Sequence, residues 1–380
     1  MVDKFFNALL QNAESRIAPV KQTSRFLLDK NEQSGDVDLA LKMEVLDRLL
    51  ETNWNRYPCA DYKDIESKIA EYCGLQSDNI VLSAGSASMI TTLLNYFALN
   101  HKKITITQPS YSLFDYHCKT YNIPYTPWFL TPELEYDYAE LPQLGAESVL
   151  IITSPNNPVG NSIRPETLEY LLRSNPDSCI ILDGVYSEFA ETDFTPLVEK
   201  YENLIVLRSF SKAFPIAGLR LGYLCAAPKT AAIIKKLILQ FSIAPFSLVF
   251  AREMLFNPTF IQDAKKRVQD IICERNKMYQ ALQKDFSSEV LQVFKSEGNF
   301  LLVRIHDRAH FDNLMEDFCR HGIKVLNTSG FPLLHNTFRV SIGNPYENGI
   351  FYQCLLSCLP PLVAGGLQES LFPLPEATLN

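Results

Sequence analysis

Five short segments hold residue types that could do chemistry together: Ser83-Ala-Gly-Ser-Ala87, Gln108-Pro-Ser-Tyr111, Ser154-Pro-Asn-Asn-Pro-Val-Gly160, Asp183-Gly-Val-Tyr186 and Arg208-Ser-Phe-Ser-Lys-Ala213. Gly85 lets backbone come close to a ligand, and the amides of Ser86 and Ala87 at a helix start offer donors and a positive dipole end to a phosphate. Ser209, Ser211 and Arg220 would complete that cradle with hydroxyls and a charged fork. Tyr111 could stack on a ring, Asp183 could pair with a protonated ring nitrogen, and Asn157 and Tyr186 could hold a ring hydroxyl. Lys212, set among Phe210, Ala213, Phe214 and Pro215, sits in surroundings that disfavour its charged form and free the amine to condense with an aldehyde. Together these groups suit an aromatic, phosphorylated aldehyde. Singly, each has a plainer reading: Gly85 and Ser86 as a turn and helix cap, 154–160 as a loop of turn formers, Asp183 as a cap, Lys212 as a solvated lysine. The combination is what points to a site.

Such groups need a frame that brings them to one rim. Each segment follows a short apolar run, at 79–82, 104–107, 148–153, 179–182 and 204–207, and a sixth run covers 221–225. Several are apolar throughout instead of alternating, as strands of a mostly parallel sheet covered on both faces must be. Ligand groups collect beyond the carboxyl ends of such strands. Between the runs, Ile90, Leu93, Leu94 and Phe97 form a helical stripe after Ser86, read as its N-cap, and Leu168, Leu171 and Leu172 follow Pro165 at a second helix start. The class is therefore α/β.

A polar stretch without Gly or Pro, 259–286, reads as a long helix leading into a second unit. That unit takes a strand at 300–305, a helix carrying Phe311, Leu314, Met315 and Phe318 that ends near Gly322, and strands near 323–326 and 338–342. We expect a segment 1–40 contributing to a small domain, a large ligand-binding domain at 41–258, a small α+β domain at 259–360, and an irregular tail at 361–380.

Composition removes several function classes. With 35 Lys and Arg against 43 Asp and Glu, the net charge of -8 offers no general attraction to nucleic acid or anionic membrane. At 47% hydrophobic and 21% charged residues, the 380-residue chain is globular, and its length suggests two or three domains. Lys235, Lys236 and Gln240 interrupt the longest apolar stretch before it reaches the roughly 18 residues of a spanning helix. Residues 1–19 lack a signal-peptide core, and Asp3 and Glu14 speak against a transit peptide, so the expected location is cytoplasmic. Nine scattered cysteines without a CxxC pair suit a reducing compartment. Of the histidines, only His306 and His310 have helical spacing, with no third ligand nearby, and no metal is expected.

Read in order, Asn55-Arg-Tyr-Pro58, Pro109-Ser-Tyr111, Ser154-Pro-Asn-Asn-Pro158, Asp183 with Tyr186, Ser209-Phe-Ser-Lys-Ala-Phe214, Ala217-Gly-Leu-Arg-Leu-Gly-Tyr223 and Phe338-Arg-Val-Ser-Ile-Gly343 resemble the fold-type I pyridoxal-phosphate enzymes. Within these the chain resembles the class I/II aminotransferases, histidinol-phosphate aminotransferase branch, from about residue 25 to 358. The resemblance implies a large domain with a mostly parallel seven-stranded sheet plus a smaller α+β domain, and pyridoxal 5'-phosphate as cofactor. It implies transfer of an amino group from an amino acid or amino-alcohol phosphate to a 2-oxo acid. Lys212 would bind the cofactor covalently and then serve as general base, Asp183 would pair with the ring nitrogen, and Asn157 and Tyr186 would bind the ring hydroxyl. Tyr111 would stack, while Gly85, Ser86, Ala87, Ser209, Ser211 and Arg220 would hold the phosphate. Arg339, with Asn157 and Asn31, would receive the substrate. Tyr57 would reach the cofactor phosphate of the neighbouring subunit, which implies a homodimer.

The chain departs from the branch at Ala87-Ser88, where Asp-Glu is usual, and at Gly184-Val185, where Glu-Ala is common. Gln33-Ser34-Gly35-Asp36 replaces a proline-containing continuation, and Leu326 stands where an arginine is frequent. The first two leave backbone donors intact; the last two bear on the substrate. Alternatives are a decarboxylase of a phosphorylated amino acid, like the threonine-phosphate decarboxylases, a C–S lyase, and a non-catalytic module keeping the fold. Lys212, Asp183 and Arg339 together argue against the last, and no GxGxxG follows an early strand to suggest a nicotinamide site.

Overall fold

The structure, a computed structural model, describes residues 24–59 and 61–360 together with Leu10 and Leu362. The expectations for 1–19 and for the tail at 361–380 otherwise lie outside the described residues.

In chain order the strands are β1 (Phe26–Leu27), β2 (Ile80–Ser83), β3 (Ile104–Gln108), β4 (Thr126–Phe129), β5 (Val149–Thr153), β6 (Cys179–Asp183), β7 (Leu204–Ser209), β8 (Gly222–Ala226), β9 (Leu291–Val293), β10 (Phe300–Ile305), β11 (Ile323–Lys324), β12 (Leu326–Asn327) and β13 (Thr337–Ser341). Among the described residues they form three sheets, the largest in the order β2-β8-β7-β6-β5-β3-β4. Its neighbours run parallel except β8, which is antiparallel to both β2 and β7. Successive side chains of a strand face opposite sides. Leu150, Ile152, Ile180, Leu182, Leu204 and Val206 accordingly enter one core, and Val149, Ile151, Ile181, Ile205 and Leu207 enter the other. Continuous apolar runs are the price of two covered faces.

All six expected runs are strands, with small shifts: Asn79 lies in the 3-10 turn Ser77–Asn79, and Leu221 precedes β8. The seventh strand, β4, escaped the pattern because it is an edge strand with only Trp128 buried, where Pro127 is tolerated. Ser86 is not the helix cap. Gly85 occupies that position at φ 83, and Ser86 opens the helix Ser86–Leu99. The left-handed backbone there suits glycine, whose lack of a Cβ also leaves room for the Arg220 guanidinium, 3.1 Å from where a Cβ would sit.

The helix Pro258–Asp285, 28 residues long, starts with proline in its first turn and is capped by the Asn257 side chain on the Phe260 amide. It leads to the antiparallel sheet β12-β13-β10-β9, covered by the helices Arg308–Arg320 and Pro345–Cys358. The expected strand at 323–326 divides: β11 pairs with β1 in a separate parallel ladder, and β12 pairs with β13. The early chain is thereby tied to the later part of the molecule. His306 lies ahead of the Arg308–Arg320 helix, so it shares no helical face with His310. No helix among the described residues is long and apolar enough to cross a membrane.

Phe318, Phe338 and Phe351 make mutual ring contacts at 5.3 to 6.2 Å under this smaller sheet. Phe338→Ala removes the buried centre of that trio and should lower the free energy of unfolding by about 3–5 kcal/mol, read from urea titration against the parent protein.

Candidate active site

Register brings the five segments to one rim. Asp183 is opposite Thr153 of β5 on one side and Leu207 of β7 on the other. Gly222 is level with Ser83 on one flank and Ser209 on the other. Ile106 of β3 is level with Ile151 of β5, so the residues that follow β2, β3, β5, β6 and β7 leave the sheet at one rim, as the carboxyl-end rule requires.

The anion cradle is built around the start of the Ser86–Leu99 helix. Gly85 gives no side-chain cap, which leaves the first amides of that helix to a ligand. Gly222 permits the approach: a Cβ there would stand 2.6 Å from the Ser86 nitrogen. Across from it, Ser209 caps the short helix Phe210–Ala213 by accepting the Ser211 amide at 3.1 Å. Arg220, itself left-handed at φ 53, donates to the Ala217 carbonyl at 2.9 Å and brings its other terminal nitrogen beside Gly85.

Lys212, half-buried, donates to the Lys30 carbonyl oxygen at 2.8 Å. Asp183 is 1% exposed, and its Oδ1 has no hydrogen-bond partner among the described residues. Arg339, buried in β13, donates to Asn157 Oδ1 and to the Asp29 carbonyl, while its Nε finds no partner among the described residues. Asn31 is fully buried at φ 56 and donates to the Tyr186 hydroxyl at 2.8 Å. Ser341 Oγ accepts the Asn31 amide at 2.8 Å and donates to its side-chain oxygen at 2.9 Å.

Burial sets the electrostatics. It pushes the Asp183 carboxyl up to about 7, opposed by the Val185 amide and Lys212. Burial first, then the Arg339 charge, bring the Lys212 amine down to about 8. Tyr186 rises to about 12 for the same first reason, and the Arg339 guanidinium falls below its ordinary value, with Tyr186 and Asp29 opposing. Acid and amine are thus both moved toward neutrality, each disfavoured in its charged form by burial.

Pyridoxal 5'-phosphate fits this donor set. The unsatisfied Oδ1 of Asp183 calls for a cationic N–H, which a pyridinium supplies, and the cradle at Gly85 has space that a Cβ would fill. Tyr111, partly buried, lies within electrostatic reach of both Tyr186 and Arg339. Of the expected site residues Arg220 and Tyr57 are exposed; Arg220 reaches the cradle beside Gly85, whereas Tyr57 lies 80% exposed on its own chain, stacked on Phe241 at 4.8 Å. The sequence reading named Asn31 and the departure at Gln33 but not what the strap at 29–33 does. Its carbonyls hold Lys212 and Arg339, and the Gln33 amide donates to the carbonyls of Lys212 and Ala213. Ser341 was also missed, although its place two residues after Arg339 on one strand puts both side chains on one face.

The family model described as aminotransferase class I and II matches residues 24–352. A histidinol-phosphate aminotransferase from Pyrococcus furiosus is 33% identical over 330 residues, 87% of this chain and 91% of that protein. Among solved structures, the histidinol-phosphate aminotransferase from Sinorhizobium meliloti, in complex with pyridoxal-5'-phosphate, matches with a TM-score of 0.76 at 18% identity, covering 93% of this chain and 97% of that one. The L-threonine-O-3-phosphate decarboxylase from Porphyromonas gingivalis matches with a TM-score of 0.74 at 18% identity, covering 87% and 98%. At such identities these two structures share the fold.

The like charge of Arg339 helps keep the Lys212 amine neutral. In ligand-free protein Arg339→Met should therefore raise the pH of half-labelling of Lys212 from about 8 toward the ordinary lysine value of about 10.4, as read by competitive acetylation and peptide mass analysis across a pH series.

Proposed function

The chain belongs to the class I and II aminotransferases, and from that membership we propose that it carries the amino group of an amino-alcohol phosphate of the histidinol-phosphate kind, or of an amino acid, to a 2-oxo acid. Pyridoxal 5'-phosphate is its cofactor and, when bound, supplies an electron sink conjugated to the substrate Cα. The observation that carries the reading is Arg339, a buried guanidinium beside Lys212 whose Nη atoms rest on a carbonyl and an amide oxygen that a carboxylate can replace.

Lys212 would hold the cofactor through its amine, and the same amine, when free, would take the proton from the substrate Cα and return one. Asp183 would be held as the carboxylate by the protonated ring nitrogen opposite it, in a site dry enough for that pairing to act strongly. Asn157 and Tyr186 orient the ring hydroxyl, and Asn31, which donates to Tyr186, connects that hydroxyl to the substrate side. Tyr111 stacks on the ring. The Gly85, Ser86 and Ala87 backbone with Ser209, Ser211 and Arg220 binds the phosphate.

Leu326, directly opposite Arg339 in the β12 and β13 register, favours a second reading of the donor. It places no further cation beside the guanidinium, which suits an amino acid with an uncharged side chain, such as phenylalanine. The division into a cofactor domain at 41–258 and a smaller domain at 259–360 is supported by the Asn257 cap that opens the helix into the second sheet. Work in the reducing cytoplasm suits nine free thiols.

We further propose a homodimer. Leu39, Met43, Leu46 and Leu50 are exposed along one stripe of the helix Leu39–Leu50, and the stripe continues into exposed Trp54 and Tyr57. A second copy of the chain on this surface would bring Tyr57 to the partner's phosphate cradle.

A panel of amino donors that includes histidinol phosphate and phenylalanine, with identification of the oxo product, tests the reaction. One donor should turn over repeatedly in the parent protein and not at all in Lys212→Ala; carbon dioxide without an oxo product would overturn transamination. For the dimer, Tyr57→Ala should weaken cofactor binding about tenfold, near 1.5 kcal/mol. Mixing it with Lys212→Ala should restore parental affinity in the shared site, because each mixed dimer pairs one intact Lys212 with the partner's intact Tyr57. Restoration absent from subunit mixing would show that Tyr57 serves its own chain.

A further inference from the structure

A cavity of about 440 Å³, lined in part by Tyr72, Cys73, Glu188, Asp193, Arg208 and Phe214, lies behind the segment that carries Lys212. It shares Ala213 and Phe214 with that segment. The residues assigned above to cofactor and substrate do not line it, so its chemistry is separate.

Cys73 closes the helix Lys63–Cys73, is partly exposed, and lines the cavity. Tyr223 and Cys225 lie two residues apart on β8 and so face the same side. The Tyr223 hydroxyl is 3.4 Å from Cys73 Sγ, and Cys225, on the same face of β8, lies close enough to Cys73 for each thiol to perturb the other. Cys73 packs against the core cluster that contains both residues of β8.

The two thiols are unequal. The hydrogen bond from Cys225, with help from the Arg208 charge and Tyr223, holds the Cys73 thiol below its ordinary value against the effect of burial. Cys225, fully buried, is pushed the other way, by burial first. Cys73 is therefore the more readily ionised of the two thiols.

We propose that Cys73 and Cys225 form a redox-modification site, in which a small hydroperoxide entering this cavity oxidises Cys73 and Cys225 then closes an intramolecular disulfide. The Cys73 thiolate attacks the terminal peroxide oxygen, the O–O bond breaks, and the departing alkoxide or hydroxide takes a proton to leave as alcohol or water. Cys225 sulfur then attacks the Cys73 sulfenic acid; the S–O bond breaks, the S–S bond forms, and the hydroxyl leaves with the Cys225 proton as water. In sum two thiols lose two electrons and the hydroperoxide gains them, giving a disulfide, an alcohol or water, and one further water. Cys225 lies on the strand whose first residue, Gly222, backs the Ser86 amide, so the bond couples the oxidation state of the pair to the strand behind the anion cradle.

The test treats cofactor-loaded enzyme with graded tert-butyl hydroperoxide, quenches with an alkylating agent and maps peptides by mass. The expected product is a peptide pair joined through Cys73 and Cys225, reversed by dithiothreitol. It should form about tenfold faster than oxidation of the exposed thiols Cys273 and Cys319. In Cys225→Ser the reaction should stop at a Cys73 sulfenic acid captured by dimedone. The proposal is overturned if Cys73 of the unmutated enzyme stays alkylatable while Cys273 and Cys319 oxidise, or if Cys73 joins a different cysteine. The first readout needs no variant, so a poorly folding Cys225→Ser does not weaken it.

Discussion

Charge kept out of water on few partners is the condition that the rest of this structure serves. An aspartate at the end of a central strand, with one oxygen unsatisfied among the described residues, is costly to bury and stays only because the surrounding fold leaves it nowhere to go. Strands on both sides of β6 are apolar on both faces, and the helices that cover them shut out solvent. The same dryness that strains Asp183 lowers the proton affinity of Lys212. A wetter rim would relax both groups toward ordinary surface behaviour.

Much of this was legible in the chain itself, because it follows from local rules. Strands covered on both faces must be apolar throughout, so 148–153 and 179–182 could be found without any knowledge of their partners. Asp183 follows directly on one such run and Lys212 stands five residues after another, and their types announce their chemistry. Trp128 alone is buried in β4, which gave that edge strand no pattern to detect. At Ser86 the reading went one residue astray, since serine is a favoured cap wherever a side chain must do the capping. Here the turn into the helix runs through the left-handed region, which suits glycine, and propensity yields to that need.

The strap at 29–33 was illegible for a different reason. Its hold on Lys212 and Arg339 is through backbone carbonyls, which every residue possesses and no sequence pattern marks. Asn31 matched a family position, yet nothing local indicates that it would meet both Tyr186 and Ser341. Leu326 and 33–36 were visible as departures, and the structure places Leu326 against Arg339 and the Gln33 amide on the carbonyls of Lys212 and Ala213. Sequence identifies what a side chain can do; distant pairing decides what it does.

The contact between Asn31 and Ser341 spans 310 positions of chain. During synthesis the sheet rim with Asp183 and Lys212 leaves the ribosome well before β13 does, so the early strap lacks its Arg339 and Ser341 partners while the lysine is already exposed. Closing so wide a loop carries an entropic cost that only the finished tertiary interface offsets. A half-made chain therefore holds a reactive amine without its arginine, and competence for turnover arrives late and all at once.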